Sequence, residues 1–138
     1  MAARMFYDDD ADLSLLDGKL IGIIGYGIQG RAQALCLRDS GVDVVIAELP
    51  GTPNYERAVE DGWEVKDAET VAKQADMIQV LTQDHVQPVV YRQFIQPNLA
   101  EGNAMIFSHG FNIRYGAIVP PPFVDVSMIA PKGPGALV

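Results

Sequence analysis

Leu20-Ile21-Gly22-Ile23-Ile24-Gly25-Tyr26-Gly27-Ile28-Gln29-Gly30 is the stretch from which the fold can be read. Its first five residues form a short apolar run, which suits a strand buried on both faces of a parallel sheet. The last six fit G-x-G-x-x-G, a pattern that means little by itself because glycines are common in turns. From Gln29 to Arg38, however, the apolar Ala32, Leu35 and Cys36 recur at helical spacing, and Ser40-Gly41 supplies a stop. Strand, glycine turn and helix then form one unit. In such a unit the first glycine allows a tight turn, the second lets backbone approach a pyrophosphate, and the third lets helix and strand pack closely, with the helix N-terminus facing the negative charge. The unit predicts a dinucleotide held on Gly25, Tyr26, Gly27, Ile28, Gln29 and Gly30; the alternative is an ordinary strand-to-helix turn.

Reading outward, Val42 to Ala47 is a second β-rich run, closed by the breakers Pro50-Gly51-Thr52-Pro53-Asn54. Tyr55 to Asp61 reads as a short helix and Glu64 to Lys66 as a small strand. Ala68 to Gln74 reads as a helix with Val71 and Ala72 inward, and Met77 to Leu81 as a buried strand. Val86 to Phe94 is expected to be helical, Pro88 being tolerated in a first turn. Ala104 to Phe107 and Val124 to Ile129 add two strands, and Gly110 to Phe123, rich in Gly and Pro, is expected to be a loop at the carboxyl edge of the sheet. Strands alternating with helices predict an α/β, doubly wound, mostly parallel sheet of the Rossmann type, covered on both faces, with residues 1–138 as one dinucleotide-binding domain.

The formal net charge of −8 argues against nucleic acid and anionic membrane surfaces, which are held by clustered Lys and Arg. An anionic dinucleotide is still compatible, because backbone N–H groups can hold it. The single Cys36 cannot form an intrachain disulfide; flanked by Leu35 and Leu37 it reads as a small core residue, in keeping with a reducing, cytoplasmic setting. Neither a signal-peptide core nor a stretch as long as a membrane span is present.

Glu48 ends the second strand, about 20 residues after the fingerprint, where a carboxylate can accept hydrogen bonds from ribose hydroxyls. It would repel a 2′-phosphate, and Leu49 to Asn54 offer no Arg or Lys to neutralise one, so NADH is favoured over NADPH; a solvated acid at a strand end is the alternative. His109 follows a strand end, where open α/β sheets bind ligands, and its imidazole could relay protons near a reacting carbonyl. Lys132, after the last strand, could face the same crevice. Either could instead be a polar residue with no such role. His85 reads as a helix-start or surface residue. The carboxylates show no metal-site pattern; Asp8, Asp9 and Asp10 are adjacent and read as solvated.

Several segments together resemble ketol-acid reductoisomerase (acetohydroxy-acid isomeroreductase), its N-terminal domain in particular. They are Tyr7-Asp8 through Leu16, Ile24-Gly25-Tyr26-Gly27 with Gln29-Gly30, Asp39-Ser40-Gly41-Val42, and Asp84-His85-Val86-Gln87-Pro88. Most specific are Phe107-Ser108-His109-Gly110-Phe111-Asn112-Ile113 and Met128-Ile129-Ala130-Pro131-Lys132-Gly133-Pro134-Gly135. The resemblance implies a Mg²⁺-promoted alkyl migration in a 2-hydroxy-3-keto acid, followed by reduction with NAD(P)H to a 2,3-dihydroxy acid, in branched-chain amino-acid biosynthesis. By position it implies that Tyr26, Gly27, Ile28 and Gln29 cradle the dinucleotide, that Asp84, His85, Val86 and Gln87 border it, and that Gly135 lies near the nicotinamide. It makes His109 the catalytic histidine and Lys132 an active-site lysine.

Some positions depart from the family pattern. Ile28 stands where Ser is usual, Leu49 where Arg is usual, and Thr52 and Asn54 where two Ser hold a 2′-phosphate; only Thr52 keeps a hydroxyl. Ala136 replaces a His. The family's helical domain, which brings the carboxylates for Mg²⁺, lies beyond these residues. The 138 residues alone are therefore expected to bind dinucleotide without turnover, and the complete enzyme to take a small-molecule substrate as a homo-oligomer. A stand-alone NAD(H)-binding or sensing module is the alternative.

Overall fold

A computed structural model describes residues 3–132. The predicted strands form as β1 (Leu20–Ile24), β2 (Asp43–Ala47), β3 (Val65–Lys66), β4 (Met77–Val80), β5 (Ala104–Phe107) and β6 (Asp125–Met128). They make one six-stranded sheet in the order β3-β2-β1-β4-β5-β6, and every pair is parallel. The chain runs outward from β1 through β2 to β3, then crosses back to β4 on the other side of β1. That reversal opens a crevice above the carboxyl ends of β1 and β4, where doubly wound sheets bind ligands.

Five short helices complete the layers: α1 (Ile28–Asp39), α2 (Pro53–Glu60), α3 (Ala68–Gln74), α4 (Gln87–Val90) and α5 (Phe111–Arg114). One core joins Ile21, Ile23 and Ile46 of the sheet to Ala34 and Ala58 of α1 and α2. The other joins Ile24, Ile78, Val80, Met105 and Phe107 to Val71 and Ala72 of α3 and to Tyr91 and Ile95. Fully burying one such aliphatic side chain contributes about 1.5–3 kcal/mol, so the β1 run is central to stability. Gly22 is the point of closest approach: a Cβ there would lie 2.5 Å from Val71 Cγ1, so α3 can rest on β1 only because that atom is missing.

The structure differs from the sequence expectations in four places. Cys36 is exposed rather than in the core: α1 buries Gly30 and Ala34, and at 3.6 residues per turn Cys36 lies about 200° around the helix from Ala34. Gly110 to Phe123 is not all loop, since α5 opens it and Ile118 is buried in the second core. The helix after Val86 changes pitch, becoming a π turn over Tyr91–Ile95, with Gln96 N–H donating to Tyr91 O, and then a 3-10 turn over Gln96–Asn98. Pro97, which has no N–H to donate, sits just beyond the π turn. Finally, the sheet is not covered to its edge, because all four residues of β6 are exposed.

Candidate functional site

The glycine turn does what its spacing requires. Gly25 has φ +102°, a left-handed conformation that favours glycine, and a Cβ there would lie 2.8 Å from Thr82 N. A Cβ on Gly30 would lie 1.9 Å from Gly25 O, so the third glycine lets α1 start directly against the turn. Gly27 is different. Its φ of −73° suits any residue, and a Cβ would meet nothing within 4 Å. Among the described residues no contact calls for glycine at 27, so the space it leaves is open to a ligand at the N-terminus of α1.

Beside the turn lies a cleft of about 590 Å³, lined by Gly25, Glu48, Leu49, Tyr55, Lys66, Thr82 and others, with Val86, Val90 and Phe94 among its apolar residues. The four-residue spacing of those last three puts them along one side of the helix, while Tyr91 and Ile95 turn into the core. Glu48 reaches over the turn: its Oε2 accepts from Tyr26 N–H at 2.8 Å and its Oε1 from Leu49 N–H at 2.9 Å. An ionised carboxylate has further lone pairs, so it can accept from a ribose as well. Leu49 is 70% exposed. Thr52 is engaged elsewhere: its Oγ1 accepts from Tyr55 N–H and donates to Leu49 O, capping α2 ahead of Pro53, with Asn54 in the first helical turn. Two further groups in this cleft went unnoticed in the sequence. Lys66, at the end of β3, lies beside Ala47 in register and has its Nζ 3.9 Å from Glu64 Oε1. Thr82 Oγ1 is buried with no hydrogen-bond partner among the described residues.

Tyr26 contributes main chain, not side chain. Its ring is fully buried; its Oη donates to Asp61 Oδ2 at 2.9 Å and accepts from Trp63 Nε1–H at 2.7 Å. Arg31 grips the same carboxylate through Nε and Nη2, at 2.7 and 3.0 Å. Burial, aided by the hydrogen bond to Asp61, pushes the Tyr26 phenol up to about 12. The Arg31 hydrogen bond holds the Asp61 carboxyl below its ordinary range. The turn is thereby anchored from beneath to the end of α2. Ile28 and Gln29 open α1; Ile28 is exposed, and Gln29 Oε1 accepts from Gln33 Nε2 at 3.3 Å.

On the other flank of the crevice, His109 Nδ1 is hydrogen-bonded to Asp84 Oδ2. This pair joins the loop after β4 to the loop after β5. Gln87 is not free for a ligand: it is buried, and its Nε2 donates to Thr82 O at 2.8 Å. His85 is exposed, as expected. Ser108 Oγ accepts from Gln33 Nε2 of α1 and donates to Ile129 O, tying the strand end beside His109 to the chain leading to Lys132. Lys132 is exposed, and Gly135 lies outside the described residues. Among the described residues no three His, Cys, Asp or Glu come together in a way that could hold a metal ion, and no helix is long and apolar enough to cross a membrane.

The strand order, the crevice at the chain reversal and the open Gly27 define a Rossmann-type dinucleotide-binding domain. Residues 15–138 match the family model of the acetohydroxy acid isomeroreductase NADPH-binding domain, and the chain belongs to that family. It is 54% identical over 136 residues to the NADP(+) ketol-acid reductoisomerase of Kineococcus radiotolerans, a match covering 99% of this chain and 40% of that protein. It also superposes on the NADH-preferring ketol-acid reductoisomerase of an uncultured archaeon with a TM-score of 0.92 and 47% identity, over 98% of this chain and 42% of the other. A semialdehyde dehydrogenase NAD-binding protein from Cupriavidus necator shares the fold, with a TM-score of 0.74 at 20% identity over 84% of this chain and 42% of that one. The chain thus spans about two-fifths of the length of its reductoisomerase relatives.

Proposed function

We propose that these residues form the cofactor-binding part of a ketol-acid reductoisomerase, which rearranges a 2-hydroxy-3-keto acid and reduces it to a 2,3-dihydroxy acid, and that on their own they bind dinucleotide without turnover. The observation that carries this reading is Gly27, where an added Cβ would meet nothing within 4 Å among the described residues. The residues present fit a dinucleotide: the backbone N–H groups at the start of α1 for the pyrophosphate, Glu48 for the ribose hydroxyls, and the side of Val86, Val90 and Phe94 for the base. Bound there, the reduced nicotinamide supplies a hydride to the rearranged ketone.

The protein's own part is to orient and to handle protons. His109, fixed against Asp84 at the β5 end, is assigned the proton relay, and Lys132, three residues beyond Ile129, the polar surroundings of the substrate. A module that only sensed NAD(H) would not need this equipment. The described residues do not fit a metal ion, so no step is derived through one; Mg²⁺ is proposed only for a complete enzyme. The complete enzyme is further proposed to be a cytoplasmic homo-oligomer in branched-chain amino-acid biosynthesis.

We further infer that NADH binds more tightly than NADPH. Glu48 places a negative charge at the end of β2, Leu49 brings no cation, and the Thr52 hydroxyl is occupied in the α2 cap. Among the described residues that line the cleft, Lys66 is the one cation, and Glu64 stands near it. The relatives are divided: the archaeal one is NADH-preferring and the Kineococcus one uses NADP(+). Titrating the 138-residue chain with NADH and NADPH, and assaying it with acetolactate and Mg²⁺, tests both claims. Binding without turnover is expected; measurable turnover, or no binding of either dinucleotide, overturns the reading.

A further inference from the structure

Asn112 is among the few buried polar residues of the chain, only 2% exposed, and lies next to a second, Gln87, at 3%. Its side-chain amide has two protons, and Nδ2 donates at 2.9 Å both to Asp84 O and to Gln87 Oε1. Gln87 in turn donates to Thr82 O. One amide group therefore ties the whole loop from Thr82 to Gln87 to the first turn of α5, two residues beyond Gly110. Asp84 and His109 stand at the two ends of this tie, hydrogen-bonded to each other. The His109 ring is 67% exposed; Phe111 stacks beside it at 6.3 Å between ring centroids, and the Asp84 carboxylate is its hydrogen-bond partner.

We infer that Asp84 and Asn112 are positioning residues for His109: Asp84 selects the ring tautomer, and Asn112 holds Asp84 where it can do so. A carboxylate only accepts, so against Asp84 the proton sits on Nδ1 of the neutral ring and Nε2 keeps its lone pair. Nε2 is then the nitrogen free to take a proton in the crevice. Asparagine suits position 112 because it presents two donors from one atom. Leucine or aspartate of the same size would leave Asp84 O and Gln87 Oε1 without donors.

This inference deepens the role proposed for His109, but its test does not depend on that role. The chain is labelled with ¹⁵N-histidine, and the imidazole nitrogens are read by long-range proton-nitrogen correlation at a pH where the rings are neutral. Exposed His85 serves as the internal reference for a solvated ring. His109 is expected in the Nδ1–H form and His85 in the solvent mixture of tautomers. Asp84→Ala, a change in a surface loop, should make the His109 spectrum resemble that of His85. Asn112→Ala should move it part of the way while circular dichroism stays native. A wild-type His109 that matches His85, or an unchanged spectrum in Asp84→Ala, overturns the tautomer assignment. An unchanged His109 spectrum in folded Asn112→Ala overturns the role of Asn112. Should that variant fail to fold, the Asn112 amide protons of the unaltered chain decide: slow exchange with solvent supports the tie, and rapid exchange refutes it. Loss of turnover in His109→Ala of a complete enzyme bears only on the catalytic reading, so the two can fail separately.

Discussion

Substituting Gly27 by alanine separates binding from folding more sharply than any other change in this chain. The residue has φ −73° and ψ −160° as the N-cap of α1, and an added Cβ meets nothing within 4 Å. Alanine is a poorer N-cap than glycine, a cost of up to about 1 kcal/mol. It also restricts the unfolded chain, a gain of about 0.4–1 kcal/mol. The two nearly cancel, so the melting temperature should stay within about 4 °C of wild type. Binding should not survive so well. The methyl group occupies the space through which phosphate oxygens reach the turn, and losing even one charge-assisted hydrogen bond costs about 1.5–3 kcal/mol, or at least about a tenfold rise in Kd. Gly30→Ala is the contrasting case, since its Cβ would fall 1.9 Å from Gly25 O. It should destabilise the fold by about 3 kcal/mol or more. The assay is an NADH fluorescence titration beside a thermal melt for each variant. Unchanged NADH affinity in a Gly27→Ala chain that melts like wild type would refute the assignment of this opening to a pyrophosphate.

Further outcomes follow from the same geometry. Tyr26→Phe removes a hydroxyl bonded to Asp61 and Trp63, and should cost about 1–3 kcal/mol in urea unfolding while leaving NADH affinity within about twofold, because the ring faces away from the cleft. The same variant should flatten the alkaline limb of stability: the phenol is raised from 10.0 to about 12, so its contribution is complete below 10.0 and is lost as pH rises through about 12. At the acid end, the Arg31 hydrogen bond holds Asp61 below 3.8, so that stability is present above 3.8 and lost as pH falls through the lower folded value. Urea midpoints compared at about pH 5 and about pH 3 should fall less in Asp61→Asn than in wild type. For cofactor choice, NADH should bind more tightly than NADPH, and Leu49→Arg should narrow the gap by about threefold to tenfold by placing a cation beside Glu48; NADPH tighter by about tenfold in the unaltered chain rules out the preference.

The chain's periodicity made most of the sheet legible, and the failures lie where periodicity carries no information. Ile21 to Ile24 read as a buried strand because an apolar run bounded by breakers has few other uses, and it is buried; Ile78 to Val80 are buried too, with the polar Gln79 between them. Ala32, Leu35 and Cys36 marked α1 by their helical spacing, and Cys36 read as a core residue because its neighbours are apolar. The actual contact face is set by Gly30 and Ala34, the small residues that let the helix lie close to the turn and the sheet. A hydrophobic stripe reports apolar surface; close packing is decided by size. α5 was invisible for a related reason: four residues make no period, and Asn112 declares itself only through partners that are distant in sequence, Asp84 and Gln87.

At the site the limit is one of direction. Spacing pointed to Tyr26 and Glu48 as site residues, and the family resemblance to Thr52 and Gln87; of the four, Glu48 lines the cleft. Where their polar atoms point is decided by the backbone groups the fold leaves unpaired. Thr52 turns to the N–H of Tyr55 at a helix start, Gln87 to the carbonyl of Thr82 at a strand end, and Tyr26 to Asp61 beneath the turn. Each satisfies a group that would otherwise be costly to bury. Subtracting these commitments leaves the space over Gly27, the spare lone pairs of Glu48, the Thr82 hydroxyl, which has no partner among the described residues, and the outer edge of His109. These features lie on or beside the crevice between β1 and β4, while Gln79 Oε1, also buried without a partner among the described residues, belongs to β4 itself. What the chain leaves unsatisfied is therefore a better guide to its ligand than the motif alone, because the motif counts residues that the fold has already engaged.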